Sequence, residues 1–195
     1  SEAEKAKKKG DESYEKEIKY FTDELDKRLN NLGIAQTELG KVNWWLNKDL
    51  AKCLDIETLH NIHVALNEVL VSIIQPENNK DSLRSQIEDF FGDQIPEVII
   101  EKAKYATDLY NNIAPIFKTY THYLLQLSQR KLNEMTTRVN THDVTSDFTP
   151  LKKEAEELIK LVETKISDGD DKDIKKLIDV LKEAIQKVIS ENEAI

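Results

Sequence analysis

The chain has 195 residues and a formal net charge of −9, with 33% charged and 39% apolar side chains, five glycines and four prolines. Cys53 is the only cysteine, which excludes an internal disulfide, and so few scattered glycines exclude a Gly-rich phosphate-binding loop. No apolar run approaches the roughly 18 residues needed to span a bilayer, so the composition points to long, solvated, amphipathic helices of one domain with a small appendage.

The first ten residues carry a net +2, from Lys5, Lys7, Lys8 and Lys9 against Glu2 and Glu4. Residues 1–12 read as a flexible, frayed arm. The body that follows is acidic and repels nucleic acid and anionic membrane at long range. A single helical-bundle domain is expected over 13–195. The chain begins at Ser1 without an initiator Met, which leans toward a secreted or cell-surface protein, with the cytoplasm as the alternative. No Asn-x-Ser/Thr sequon occurs, so N-glycosylation is not expected.

Tyr14, Ile18, Phe21, Leu25, Leu29 and Leu32 advance by three or four residues, the step that puts side chains on one face of a helix. Gly33 reads as a left-handed C-terminal cap to this first helix. A second helix is then expected over Ile34–Leu54, with Ala35, Leu39, Val42, Trp45, Leu46, Leu50 and Cys53 on one face and Gly40 weakening it. Trp44 and Trp45 are adjacent, so they point about 100° apart. One can anchor a core while the other reaches the surface as an interface hot spot.

Asp55 reads as the cap of a third helix, whose wide apolar face runs Ile56, Leu59, Ile62, Leu66, Val69, Leu70, Ile73 and Ile74 until Pro76 ends it. After a polar loop, Asp81 or Ser82 caps a short helix with Leu83, Ile87, Phe90 and Phe91, closed by Gly92. Asp93 and Pro96 open the longest run, which continues to about Asn140 with apolar positions Ile95, Val98, Ile99, Ala103, Ala106, Leu109, Ile113, Phe117, Tyr120, Leu124, Leu127, Met135 and Val139 mostly three or four residues apart, and with an aromatic cluster of Tyr105, Tyr110, Phe117, Tyr120 and Tyr123 that packs a core or forms a recognition surface. Pro115, preceded by Asn111 and Asn112, predicts a kink or short break in this central helix.

Residues 140–149 read as a loop. Thr149–Pro150 then opens a C-terminal helical hairpin over 150–190, turning at Ser167–Asp171. The sum is an all-α bundle of about six to seven helices, one of them long, central and kinked near Pro115.

Chemistry-bearing patterns are sparse. Glu57-x-x-His60-x-x-His63 is the best metal candidate, since residues three apart are neighbours on a helix. Bundle di-metal sites need two such Glu/His pairs, and His122 has no Glu three residues before it, so neither a metal nor a cofactor is expected. The acidic turn Asp168–Asp173 departs from a calcium loop because Gly169 is misplaced and Lys172 intrudes. The rear half of the long run combines Tyr120, His122 and Tyr123 with Arg130 and Lys131, a candidate recognition surface alongside Trp44 and Trp45.

Three functions follow from these patterns. The first is a non-enzymatic interaction protein that binds a protein partner through a helical face. The second is a carrier of an apolar ligand or lipid between amphipathic helices. The third is a bundle metalloprotein built on Glu57, His60 and His63.

Overall fold

A computed structural model describes residues 2–8, 10, 12–46, 48, 56–76 and 79–140, with isolated positions 153, 156 and 183. The described residues form an all-α protein, with no strand among them. The elements in order are α1 (Glu2–Lys8), α2 (Glu12–Trp45), α3 (Ile56–Val69), a π-helical turn (Leu70–Ile74), α4 (Leu83–Phe91) and α5 (Glu97–Asn140). The expected hairpin over 150–190 and the turn Asp168–Asp173 lie outside the described residues.

The chain divides into two compact units. The first comprises residues 1–53 and 61–116, and the second residues 54–60 and 117–195.

The first unit starts with a difference from expectation. Residues 2–8 are helical rather than a loose arm, with Ala3 and Ala6 buried, and α1 packs against α2 and α4. Charge placement suits this two-turn helix. Glu2 and Glu4 sit in its first turn, and Lys5, Lys7 and Lys8 in its last, each sign opposite the helix dipole end it faces. The small alanines, three residues apart, let its backbone lie close to its neighbours. Gly10 then turns the chain with φ 62°, a conformation that costs side-chain-bearing residues, and its N–H bonds Lys7 O at 3.2 Å.

α2 runs unbroken for 34 residues through both Gly33 and Gly40. The expected stop at Gly33 is corrected to one long helix. The reason is phase: the buried side chains Phe21, Leu25, Leu32, Ala35, Leu39 and Val42 stay on one face across the glycine. Burying each large side chain contributes roughly 1.5–3 kcal/mol, whereas a mid-helix glycine costs only about 0.5–1 kcal/mol relative to Ala.

α4 is capped as its sequence suggests. Between the two candidates, Ser82 is the cap, accepting the Ser85 N–H at 3.1 Å, with φ −62° and ψ 152°. Gly92 closes the helix at φ 60°, its N–H bonding Glu88 O. Phe91 is the hub of an aromatic cluster, edge-to-face with Tyr14 at 6.1 Å and with Phe21 at 5.8 Å between ring centres. Each such pair is worth about 0.5–1.5 kcal/mol beyond its buried area.

The apolar run Val69–Ile74 does not end as a plain α-helix. Its last turn widens to π geometry, with Gln75 N bonding Leu70 O, five residues back, at 2.7 Å. Arg28 braces this turn from α2. Its Nε donates to Ser72 Oγ at 3.1 Å, Nη1 to Glu24 O and Oε2, and Nη2 to Glu68 Oε1 at 2.9 Å. Ser72 Oγ in turn donates to Glu68 O. Arg28 is 13% exposed, so its part-buried bonds to Ser72 and Glu24 are less screened than an ordinary surface pair, whereas Glu68, 51% exposed, adds little. Lys102 of α5 reaches Asp26 of α2 in a second tie.

α5 is helical over all 44 residues, including Pro115. No break interrupts it at Asn111–Ala114. Pro115 has no N–H to give to the Asn111 carbonyl, yet the turns on either side hold. The division between the two units falls one residue after it, at Ile116. In the first unit Ile99, Ala106 and Ile113 are buried, seven apart and therefore in line.

In the second unit the described segments are residues 56–60 and 117–140. Leu59, Phe117, Tyr120 and Thr121 are buried there. Thr121 Oγ1 donates to Lys118 O at 2.9 Å, which satisfies its hydroxyl within the helix.

Candidate functional site

Five of the residues singled out from sequence, Tyr120, His122, Tyr123, Arg130 and Lys131, lie on α5 beyond Pro115. Tyr120 is only 2% exposed, which corrects its assignment to a recognition surface. It shares the buried face with Phe117, three residues earlier, and helical spacing takes its ring inward with it. His122 and Tyr123 are half-buried and Arg130 is exposed. The side chain of Lys131 lies outside the described residues.

The tryptophan pair divides as adjacency requires. Trp44 is 54% exposed and Trp45 half-buried, with the rings edge-to-face at 4.5 Å. Lys48 Nζ sits 3.7 Å from the centre of the Trp44 ring, a cation–π contact worth about 0.5–1 kcal/mol at an exposed site. The pair belongs to the first unit, and Tyr120, His122, Tyr123 and Arg130 to the second.

No group of three or more His, Cys, Asp or Glu side chains among the described residues is arranged to hold a metal ion. Glu57, His60 and His63 therefore form no such site. His60 Nδ1 is enclosed without a hydrogen-bond partner among the described residues.

Two features of the first unit take a form that the sequence does not show, although Tyr105 stands in the aromatic cluster of the long run and Val98 among its apolar positions. The first is a ridge on α5. Val98, Tyr105 and Ile116 are 43%, 61% and 52% exposed. They lie seven and eleven residues apart, about two and three helical turns, so they fall in one line roughly 27 Å long. Glu101 and Asp108, both exposed, flank the line. Singly exposed apolar residues are ordinary on a protein surface, and Tyr20 and Ile34 on α2 are of that kind. Three large apolar side chains in register on one helix face are not scattered.

The second feature is a cavity of about 270 Å³. Its walls come from four elements of the unit: Leu25 of α2, Ile73 of the π turn, Ile87 of α4 and Ile99 of α5, all buried. Arg84, Glu88 and Lys104 also line it and are exposed, which places them at its mouth. Arg84 Nη1 donates to Ile73 O at 3.3 Å, satisfying a carbonyl that a helix end leaves without an intrahelical partner. Its Nε donates to Glu88 Oε1 at 3.1 Å. Arg28, through Ser72 Oγ, and Arg84, through Ile73 O, thus both hold the π turn, and that turn carries Ile73 into the cavity wall. A periodicity search misses both features, because one depends on which face its neighbours leave uncovered and the other on residues some 80 positions apart.

Among the described residues no helix is long and apolar enough to cross a membrane. Compared with known proteins, the chain matches no family model, no curated protein and no solved structure.

Proposed function

We propose that the protein is a non-enzymatic helical-bundle interaction protein that binds a protein partner through a helical face of α5. The observation that carries this reading is the ridge of Val98, Tyr105 and Ile116, with exposures of 43%, 61% and 52%. Water-facing apolar side chains in line on a helix are the anchors of helix-in-groove recognition, and tyrosine is prominent among interface hot spots. Glu101 and Asp108 beside the ridge favour a partner groove with a basic rim, which fits a chain of net charge −9. Trp44, with Lys48 against its ring, is a second exposed aromatic anchor in the same unit.

The test places a photo-crosslinking amino acid at position 105 and, as a control, at exposed Lys19 of α2. A partner that crosslinks from 105 and not from 19, and is lost when Val98→Asp is added, supports the reading. Variants are first checked for an unchanged helical melt. Equal crosslinking from both positions, or retention of the partner by Val98→Asp, would show that the ridge is not the docking face.

A further inference from the structure

The cavity of the first unit has no role in docking through the ridge. Side chains advance about 100° per helical residue, so Ile100, in the cavity lining, points about 160° away from Val98 on the ridge. The two features occupy opposite flanks of α5.

We propose that this cavity binds a small amphiphile with an aliphatic tail and a carboxylate head, of the medium-chain fatty-acid class. Size sets the first limit. An apolar cavity of about 150 Å³ takes up benzene, and by that scale about 270 Å³ accommodates a chain of roughly eight to ten carbons. Wall chemistry sets the second. Leu25, Ile73, Ile87 and Ile99 offer only hydrocarbon. Thr107, also in the lining, commits its hydroxyl to Ala103 O at 2.9 Å, so it leaves no hydroxyl proton for a polar tail.

The mouth sets the third limit. Arg84 and Glu88 neutralise each other at 3.1 Å. Lys104 stands on the same rim and has no ion-pair partner among the described residues, although acids outnumber bases by nine along the chain. The charged side chains of the lining thus sum to one positive charge over Leu25, Ile73, Ile87 and Ile99, while the exposed Glu101 and Asp108, three and four residues from Lys104 on α5, lie outside the lining. A carboxylate at Lys104 with its tail inside satisfies both, whereas a neutral alcohol forgoes the charge and an alkyl ammonium is repelled.

The test uses the full chain and decanoate as probe, followed through the methyl resonances of Ile73, Ile87 and Ile99. The expected result is saturable one-to-one binding that shifts these methyls and leaves those of Val98 and Ile116 in place. Decanol binds several-fold more weakly. Lys104→Ala lowers decanoate affinity about threefold to fivefold, the reach of a solvent-exposed ion pair, and Lys104→Glu lowers it further. Ala103→Phe, which fills the lining, abolishes binding. Lys104→Glu alters only an exposed side chain, so it tests the proposal even where Ala103→Phe does not fold. Shifts that are scattered or fail to saturate overturn the proposal, as does equal binding of decanol, or decanoate affinity unchanged by Lys104→Glu. Crosslinking from Tyr105 reads the opposite flank of α5, so either idea can fail without the other.

Discussion

Tyr110 shows what partial burial does to a titratable side chain. Desolvation raises its hydroxyl above the ordinary value of 10.0, because a phenolate is worse solvated there than in water. Above pH 10 and below the raised value, the unfolded chain has released this proton and the folded chain still holds it. The folded state then binds more protons, so stability falls as pH rises. The contribution is fully present below pH 10 and lost as pH climbs through the raised value. Thermal melts of the wild type and Tyr110→Phe should therefore differ by a constant amount between pH 7 and 9. Above pH 10 the wild type should lose stability faster than the variant. Parallel curves throughout would show that the hydroxyl is as well solvated as in the open chain. Tyr105, five residues earlier and 61% exposed, illustrates the opposite placement. Residue type alone does not separate two such tyrosines, since the covering side chains come from other elements.

At the level of elements, the glycines within α2 and in the turn before it divide by backbone conformation. Gly33 and Gly40 lie inside α2 with ordinary helical φ, and a Cβ built on either meets nothing within 4 Å. Gly33→Ala and Gly40→Ala should each raise stability by about 0.5–1 kcal/mol through lower entropy of the unfolded chain. Gly10 sits at φ +62° with equally open surroundings. Gly10→Ala should cost about 1 kcal/mol from backbone strain alone. Urea unfolding followed by circular dichroism measures all three, and a loss of stability in Gly33→Ala would mean that α2 needs its flexibility there. The same contrast explains why Gly33 misleads as a stop signal. The preference of helix ends for glycine is a local tendency, and an apolar face that stays in phase on both sides outweighs it. Gly92 reads correctly, and the N-cap narrows to Asp81 or Ser82, of which the structure uses Ser82, because there the apolar phase ends where the capping residues stand. The π turn escapes prediction for a related reason: in Val69–Ile74, apolar at every position but Ser72, one extra residue per turn hardly changes the pattern.

On the scale of the whole molecule, fold class was readable from composition and periodicity, and the helical stretch from Glu97 to Asn140 from its apolar steps. What was not readable is what depends on distant pairs. Ala3 and Ala6 look like part of a polar tail until α2 and α4 cover them. The cavity exists only once residues from 25 to 107 converge. The Arg28 brace joins positions 44 residues apart, and nothing near Arg28 in the sequence names Ser72 as its acceptor. The aromatic hub is another of these distant ties. Phe91 is fully buried between Tyr14 and Phe21. Phe91→Ala should lower stability by about 3–5 kcal/mol, the range for deleting a large buried ring, read from guanidinium unfolding. A loss under 1 kcal/mol would mean that the surrounding helices close over the gap.

The position of Phe91 also has a kinetic consequence. Helices such as α2 form in about a microsecond or less from local bonds alone. The ring that α2 must bury its first turns against arrives 70 and 77 residues later in the chain. Closing a loop of that length costs entropy before any contact rewards it. The first unit thus has fast local order and a slow joining step. During synthesis, Tyr14 and Phe21 emerge from the ribosome several seconds before their partner at roughly 5–20 residues per second. For that interval they form an exposed sticky edge, which a chaperone or a neighbouring nascent chain meets before Phe91 does.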